Sequence, residues 1–169
     1  VVSSEVMTNS NLHTPAAPVA DAQPRINYRK ASATAIAAMS ALQAAVNRSG
    51  LEKPLLELVK LRASLLNRCA FCIDMHFRDA KAAGESDERL YLLSAWEETQ
   101  VYTPRERAAL GWTDALTQLS TEHVSDELFE AARAQFTEEE LTNLTLAIVA
   151  INGWNRFSVG FKVPIRFQG

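Results

Sequence analysis

From Ser32 onward the chain carries apolar residues at the three- and four-residue steps of a helix. Ile36, Met39, Leu42 and Val46 recur in this way, Ser32 stands where an N-cap is expected and Gly50 closes the run, which predicts a first long helix. Pro54 suits the first turn of a second helix, which carries Leu55, Leu58, Val59, Leu61, Leu65 and Leu66 as far as about Asn67. So broad an apolar face predicts deep burial. A third helix is expected over 69–83, stopped by Gly84, and then a short one capped by Ser86 with Leu90, Leu92 and Leu93 as its apolar content. Thr103-Pro104 followed by Glu106 marks another start, with the helix running through Leu110, Trp112 and Leu116 to about Leu119. Two more are expected over 125–136 and from 137 to about 161, the last opened by a capping box at Thr137-Glu138-Glu139-Glu140. Trp112, Phe129 and Phe136 sit at core spacing. Apart from an extended tail after Val163, nothing reads as strand, so the expected class is all-α.

Residues 1–30 are polar and contain Pro15, Pro18 and Pro24 without apolar periodicity, so they read as an arm preceding one helical domain over 31–169. A domain near 169 residues buries roughly 70% of its unfolded surface, enough for a core without staples. No apolar run of about 18 residues occurs, and no membrane span is expected. Lys and Arg total 17 against 20 Asp and Glu, interspersed along the chain. That argues against nucleic acid as a partner, which would call for a concentrated basic face. The N-terminus lacks the pattern of a secretory signal, and the cytoplasm is the default location.

Only two cysteines occur, Cys69 and Cys72. A bridge between them closes too short a loop to restrict the unfolded chain much, which points to chemistry rather than to a staple. At about 100° per residue on a helix, Cys69, Cys72 and His76 fall within an arc of about 60°, while Phe71 points to the other side. A helix N-terminus favours a thiolate, an imidazole can accept the thiol proton, and a second thiol can resolve an oxidised first one. Glu57 lies inside the apolar second helix. It joins the site only if the chain turns near Asn67 and the second and third helices pack antiparallel; it could then orient His76. Its competing reading is a surface pair with Lys60 or Arg62. For the cysteines the rivals are simple packing and a zinc site. Zinc would need further ligands, and the other histidines are His13 in the arm and His123 in an expected loop. The cluster Asn152, Trp154, Asn155 and Arg156 in the last helix fits pocket lining, a subunit contact or core hydrogen bonding.

Glu57 followed by Cys69, Cys72 and His76 resembles the Glu-x(11)-Cys-x-x-Cys-x-x-x-His signature of the alkylhydroperoxidase D family, within the carboxymuconolactone decarboxylase superfamily. The segments around 55–64, 69–76, 89–93 and 151–156 are similar to single-domain members, from about Arg25 to the C-terminus. The resemblance implies an all-helical bundle of that family's type, a homo-oligomer (trimer or hexamer), and no bound cofactor or metal. The activity implied is a thiol-dependent peroxidase acting on a hydroperoxide, with the disulfide reduced by an external dithiol such as a dihydrolipoyl group. It also implies that Cys72 attacks peroxide, that Cys69 resolves it, and that Glu57 and His76 relay the proton. This chain has Phe71 where better-studied members place a second histidine between the cysteines. The alternatives are a non-catalytic redox sensor and a decarboxylase-like lyase, whose family members do not depend on the cysteine pair. The apolar second and last helices also suggest assembly.

Overall fold

The computed structural model describes residues 23–121 and 123–165, and among these the regular structure is helical with no strand. The helices are α1 (Tyr28–Ala31), α2 (Ala33–Asn47), α3 (Lys53–Leu66), α4 (Ala70–Ala82), α5 (Asp87–Leu92), α6 (Pro104–Thr117), α7 (Asp126–Arg133) and α8 (Glu138–Gly160), with a 3-10 segment over Leu93–Glu98. Side-chain caps explain most of the starts. Ser32, Ser86 and Ser125 each accept a hydrogen bond from a first-turn N–H, and Thr103 with Glu106 and Thr137 with Glu140 form capping boxes. No helix among the described residues is long and apolar enough to cross a membrane.

The broad apolar face of α3 is explained by its central place. Leu55, Leu56 and Val59 enter a core shared with Val46, Trp112, Phe136, Leu144 and Ile148. Leu58 and Leu61 enter a second core with Leu90, Leu93, Trp96, Tyr102 and Leu110. A helix flanked by cores on two sides must be apolar around most of its circumference, so the apolarity of α3 is satisfied within one chain.

Several expectations are corrected. Phe129 is exposed rather than core, although its ring still lies 6.3 Å from Trp112. Helix α6 ends at Thr117 and leaves Leu119 exposed, and α7 ends at Arg133. No strand follows Val163 as far as residue 165, and the remainder of the expected tail lies outside the described residues. The expected arm boundary at residue 30 falls inside α1, where Tyr28 is buried against Phe157 and Phe161. Arg25 also donates from its backbone N–H to the Phe161 carbonyl at 2.8 Å. The earlier part of the arm, including His13, lies outside the described residues.

Helix α3 turns into α4 through Asn67 and Arg68, the latter in the left-handed region at φ 53°. Asn67 Nδ2 donates to Asn152 Oδ1 and Asn155 Oδ1, both at 2.9 Å, and Asn155 Nδ2 donates to Ser64 Oγ at 3.1 Å. The Asn152 and Asn155 of the C-terminal cluster therefore act as core hydrogen-bonders that fasten the turn to α8. Replacing buried Asn155 by alanine removes one bond to Ser64 Oγ and one of the two made by Asn67 Nδ2. We expect a loss of about 1–3 kcal/mol in unfolding free energy, measured by urea denaturation.

Candidate active site

The α3–α4 turn brings Glu57 and His76 together although they stand nineteen positions apart. Contact between residues this far on either side of the turn requires the two helices to fold back on each other, as expected. His76 Nδ1 lies 2.9 Å from Glu57 Oε2, and Lys60 Nζ donates to Glu57 Oε1 at 2.9 Å. All three are buried, with Glu57 5%, His76 6% and Lys60 9% exposed. The surface-pair reading of Glu57 is thus overturned. It does pair with Lys60, but inside the protein, while Arg62 instead grips Asp114 with two hydrogen bonds of 2.7 Å.

Burial by itself would raise the Glu57 carboxyl. Hydrogen bonds from His76 and Lys60, with the Lys60 charge, outweigh it and hold the group below its ordinary 4.5. Glu57 is therefore a carboxylate at neutral pH, able to accept from the His76 Nδ1–H. That tautomer leaves Nε2 with its lone pair free. Among the described residues Nε2 has no protein partner, and no fully buried side-chain polar atom lacks one, so Nε2 reaches open space.

That space is a cavity of about 630 Å³ whose wall includes Glu57, Lys60, Phe71, Cys72, Met75 and His76. Cys72 borders it and Cys69 does not. Both cysteines are about 1% exposed and are joined as a disulfide with Cα atoms 5.3 Å apart. Cys69 occupies the N-cap position of α4 and makes no side-chain capping bond, while Cys72 sits in the first turn. The first-turn N–H groups thus lack the hydroxyl cap found at α2, α5, α6, α7 and α8. A thiolate at either position would meet these unspent donors and the positive helix end.

Phe71 corrects the expectation that it faces away, since it lines the same cavity as Cys72. Cys72, His76 and Glu57 line the same cavity, whereas Cys69, expected on the same face as Cys72 and His76, is not part of that lining. Sequence reasoning missed the burial of Lys60 and the proximity of Asp79, both of which depend on how α3 meets α4. Glu57, His76 and Asp79 offer ligand atoms within 4.8 Å of one another, the metal-competent group among the described residues. It contains neither cysteine, and His123 lies apart in the loop before α7.

A sequence profile described as carboxymuconolactone decarboxylase family matches residues 32–115. The chain is 38% identical over 135 residues to the uncharacterized protein YdfG of Bacillus subtilis (strain 168), covering 80% of this chain and 92% of that one. It is 46% identical to a crystal structure from Agrobacterium tumefaciens, a protein of unknown function and candidate antioxidant defence protein AhpD. That match covers 86% of this chain and all of the other, with a TM-score of 0.84. An alkylhydroperoxidase AhpD core from Ralstonia eutropha JMP134, a peroxidase-related protein at 20% identity, shares the fold with a TM-score of 0.73 over 85% of this chain and 77% of that one.

Because the Glu57 carboxyl is held low in the fold, its ionised form contributes stability above its unfolded value, and this is lost as pH falls through the folded value. We expect Glu57→Gln to cost about 1–3 kcal/mol at neutral pH. Denaturation curves recorded across pH should show the gap to wild type narrowing below pH 4.5.

Proposed function

The chain belongs to the carboxymuconolactone decarboxylase family, and from that premise we propose that it is an enzyme, a thiol-dependent peroxidase working through Cys72. The observation that carries this reading is the division between the two sulfurs. Cys72 and His76 both border the cavity, and Cys69, bonded to Cys72, does not.

In the reduced protein, His76 Nε2 accepts the Cys72 proton while Glu57 fixes the ring through Nδ1. The thiolate attacks the distal oxygen of the hydroperoxide. An S–O bond forms, the O–O bond breaks, and the departing alkoxide takes a proton from His76 to leave as the alcohol. The Cys69 thiolate then attacks the Cys72 sulfenic acid, forming the disulfide and releasing hydroxide, which takes a proton to become water. An external dithiol, such as a dihydrolipoyl group, returns the pair to thiols by exchange and is itself oxidised to a disulfide. Such a cycle suits the cytoplasm, where thiols are kept reduced. Phe71 beside Cys72 adds an apolar surface where a second histidine would add a base, so proton transfer falls to His76 alone.

Peroxide consumption with a dithiol should vanish in Cys72→Ser, and retained activity there would remove the assigned nucleophile. Cys69→Ser should consume one equivalent and stop as a sulfenic acid that dimedone traps. Glu57→Gln, with the ring no longer held by a carboxylate, should lower the rate of thiol oxidation about 100-fold in stopped flow.

Assembly as a trimer or hexamer belongs to the same reading. Helix α8 leaves Val149 and Val159 about half exposed, apolar surface that a second copy would cover. Light scattering at micromolar concentration should report a multiple of the 18.7 kDa chain, and a lone chain would contradict it.

A further inference from the structure

The relay occupies the cavity wall built by α3 and α4. Another wall, built by α1 and the last turns of α8, presents Tyr28, Arg29, Trp154 and Ser158, and nothing in the peroxidase reading uses it. Arg29 holds its guanidinium over the Tyr28 ring at 5.5 Å and the Trp154 ring at 5.6 Å, and it makes no hydrogen bond or ion pair among the described residues. Stacking of this kind fixes the plane of the group and leaves its N–H donors unspent.

Two buried residues with hydroxyls share the cavity lining with it. Tyr28 is 8% exposed with its ring 5.3 Å from Phe157, and Ser158 is 5% exposed. Neither hydroxyl has a partner among the described residues, and neither is sealed from open space. Ser158 differs from four of the helical hydroxyls of this chain. Ser64, Thr113, Thr142 and Thr145 each donate back to the carbonyl four residues earlier, whereas Ser158 Oγ makes no such bond and borders the cavity. Both hydroxyls therefore keep bonding capacity for whatever fills the cavity, water or ligand.

The charges agree. Three cations line the cavity, Arg29, Lys53 and Lys60, against Glu57 and Asp79. Glu57 is taken by Lys60 and His76, while Arg29 and Lys53 have no acidic partner among the described residues. Asp79 lies on the α4 wall and repels an anion from that side, towards α1. The volume of about 630 Å³ falls in the range of sites for medium-sized organic ligands and far exceeds what a water-sized oxidant fills.

We infer that the α1–α8 wall is a carboxylate subsite, in which Arg29 and the hydroxyls of Tyr28 and Ser158 receive the carboxylate of an organic substrate whose apolar body lies against Trp154, Leu56 and Phe71. Resting on the peroxidase reading for the reactive end alone, the substrate class is an organic hydroperoxide bearing a carboxylate. The subsite itself does not depend on the thiol chemistry.

Calorimetric titration with para-isopropylbenzoate and with its neutral amide tests the subsite without any reaction. The acid should bind about tenfold more tightly than the amide, as a charge-assisted pair allows. Arg29→Gln, at an exposed position whose loss leaves the cores intact, should reduce that advantage to less than threefold. Equal binding of acid and amide by the wild-type protein, binding of neither, or an undiminished preference in Arg29→Gln would each overturn the inference. The wild-type comparison stands even if the variant misfolds. Cumene hydroperoxide and its para-carboxylate then separate this inference from the function. A preference for the acid with neither hydroperoxide consumed keeps the subsite and removes the peroxidase, and equal turnover of both with no acid preference does the reverse.

Discussion

A carboxylate buried in the helix that lies between the two cores is the interaction on which the site depends. Taking Glu57 and Lys60 out of water costs several kcal/mol per ion before their attraction is counted, and an apolar pair of similar volume is often as stable or more so. Stability alone therefore gives little reason to keep a charged pair in α3. Its worth lies in what the second oxygen does. With Oε1 held by Lys60, Oε2 is presented to His76 Nδ1 in one geometry. The imidazole is thereby fixed with its other nitrogen open to the cavity. The two oxygens divide the work, one meeting the electrostatic cost of burial and the other setting a tautomer.

The geometry reaches the sulfurs through the short turn between α3 and α4. Arg68 holds a left-handed conformation that a non-glycine residue adopts at a cost of about 1 kcal/mol. The surrounding structure holds it there, since Asn67 is tied to α8 through Asn152 and Asn155, and the Cys69 N–H donates to the Ser64 carbonyl at 3.0 Å. Ending α3 and restarting α4 within so few residues puts Cys69 at the cap position and Cys72 in the first turn, with His76 one turn further along. Helix α2 packs on α8, and both contribute residues to the cavity lining. Met39 lies over Gly153, where a Cβ would meet its Cε at 2.8 Å, a contact that a turn of the flexible methionine end would relieve.

Most of the fold could be read from the sequence, because capping residues and apolar periodicity are local signals. The starts at Ser32, Ser86, Thr103, Ser125 and Thr137 are each a side chain bonding within its own turn. Phe129 failed the same reading because periodicity tells which face of a helix is apolar and not whether a neighbour covers all of it. In the site, Cys69, Cys72 and His76 were legible because one helix fixes their spacing, and the resemblance pointed to Glu57. Lys60, Phe71, Tyr28, Arg29 and Ser158 were not legible as cavity residues. Each reaches the cavity by how whole helices cross, and no spacing within a helix encodes that. Tyr28 and Arg29 were further hidden by their place at the end of a polar, proline-containing segment.

On the proposed reading, the placement of the sulfurs constrains the second half of the cycle as much as the first. Cys72 borders the cavity and Cys69 does not, so an external dithiol entering by the cavity meets the Cys72 sulfur. Attack there makes Cys69 the leaving group, and a leaving thiolate at the cap position of α4 meets the first-turn N–H groups that no hydroxyl occupies. One sulfur then receives both peroxide and reductant in turn, while the other alternates between resolving nucleophile and stabilised leaving group. The absence of a side-chain cap at this helix, shared among the longer ones only with α3, would be a defect in a purely structural element. Here it leaves donors open for a thiolate that exists only when the disulfide is broken.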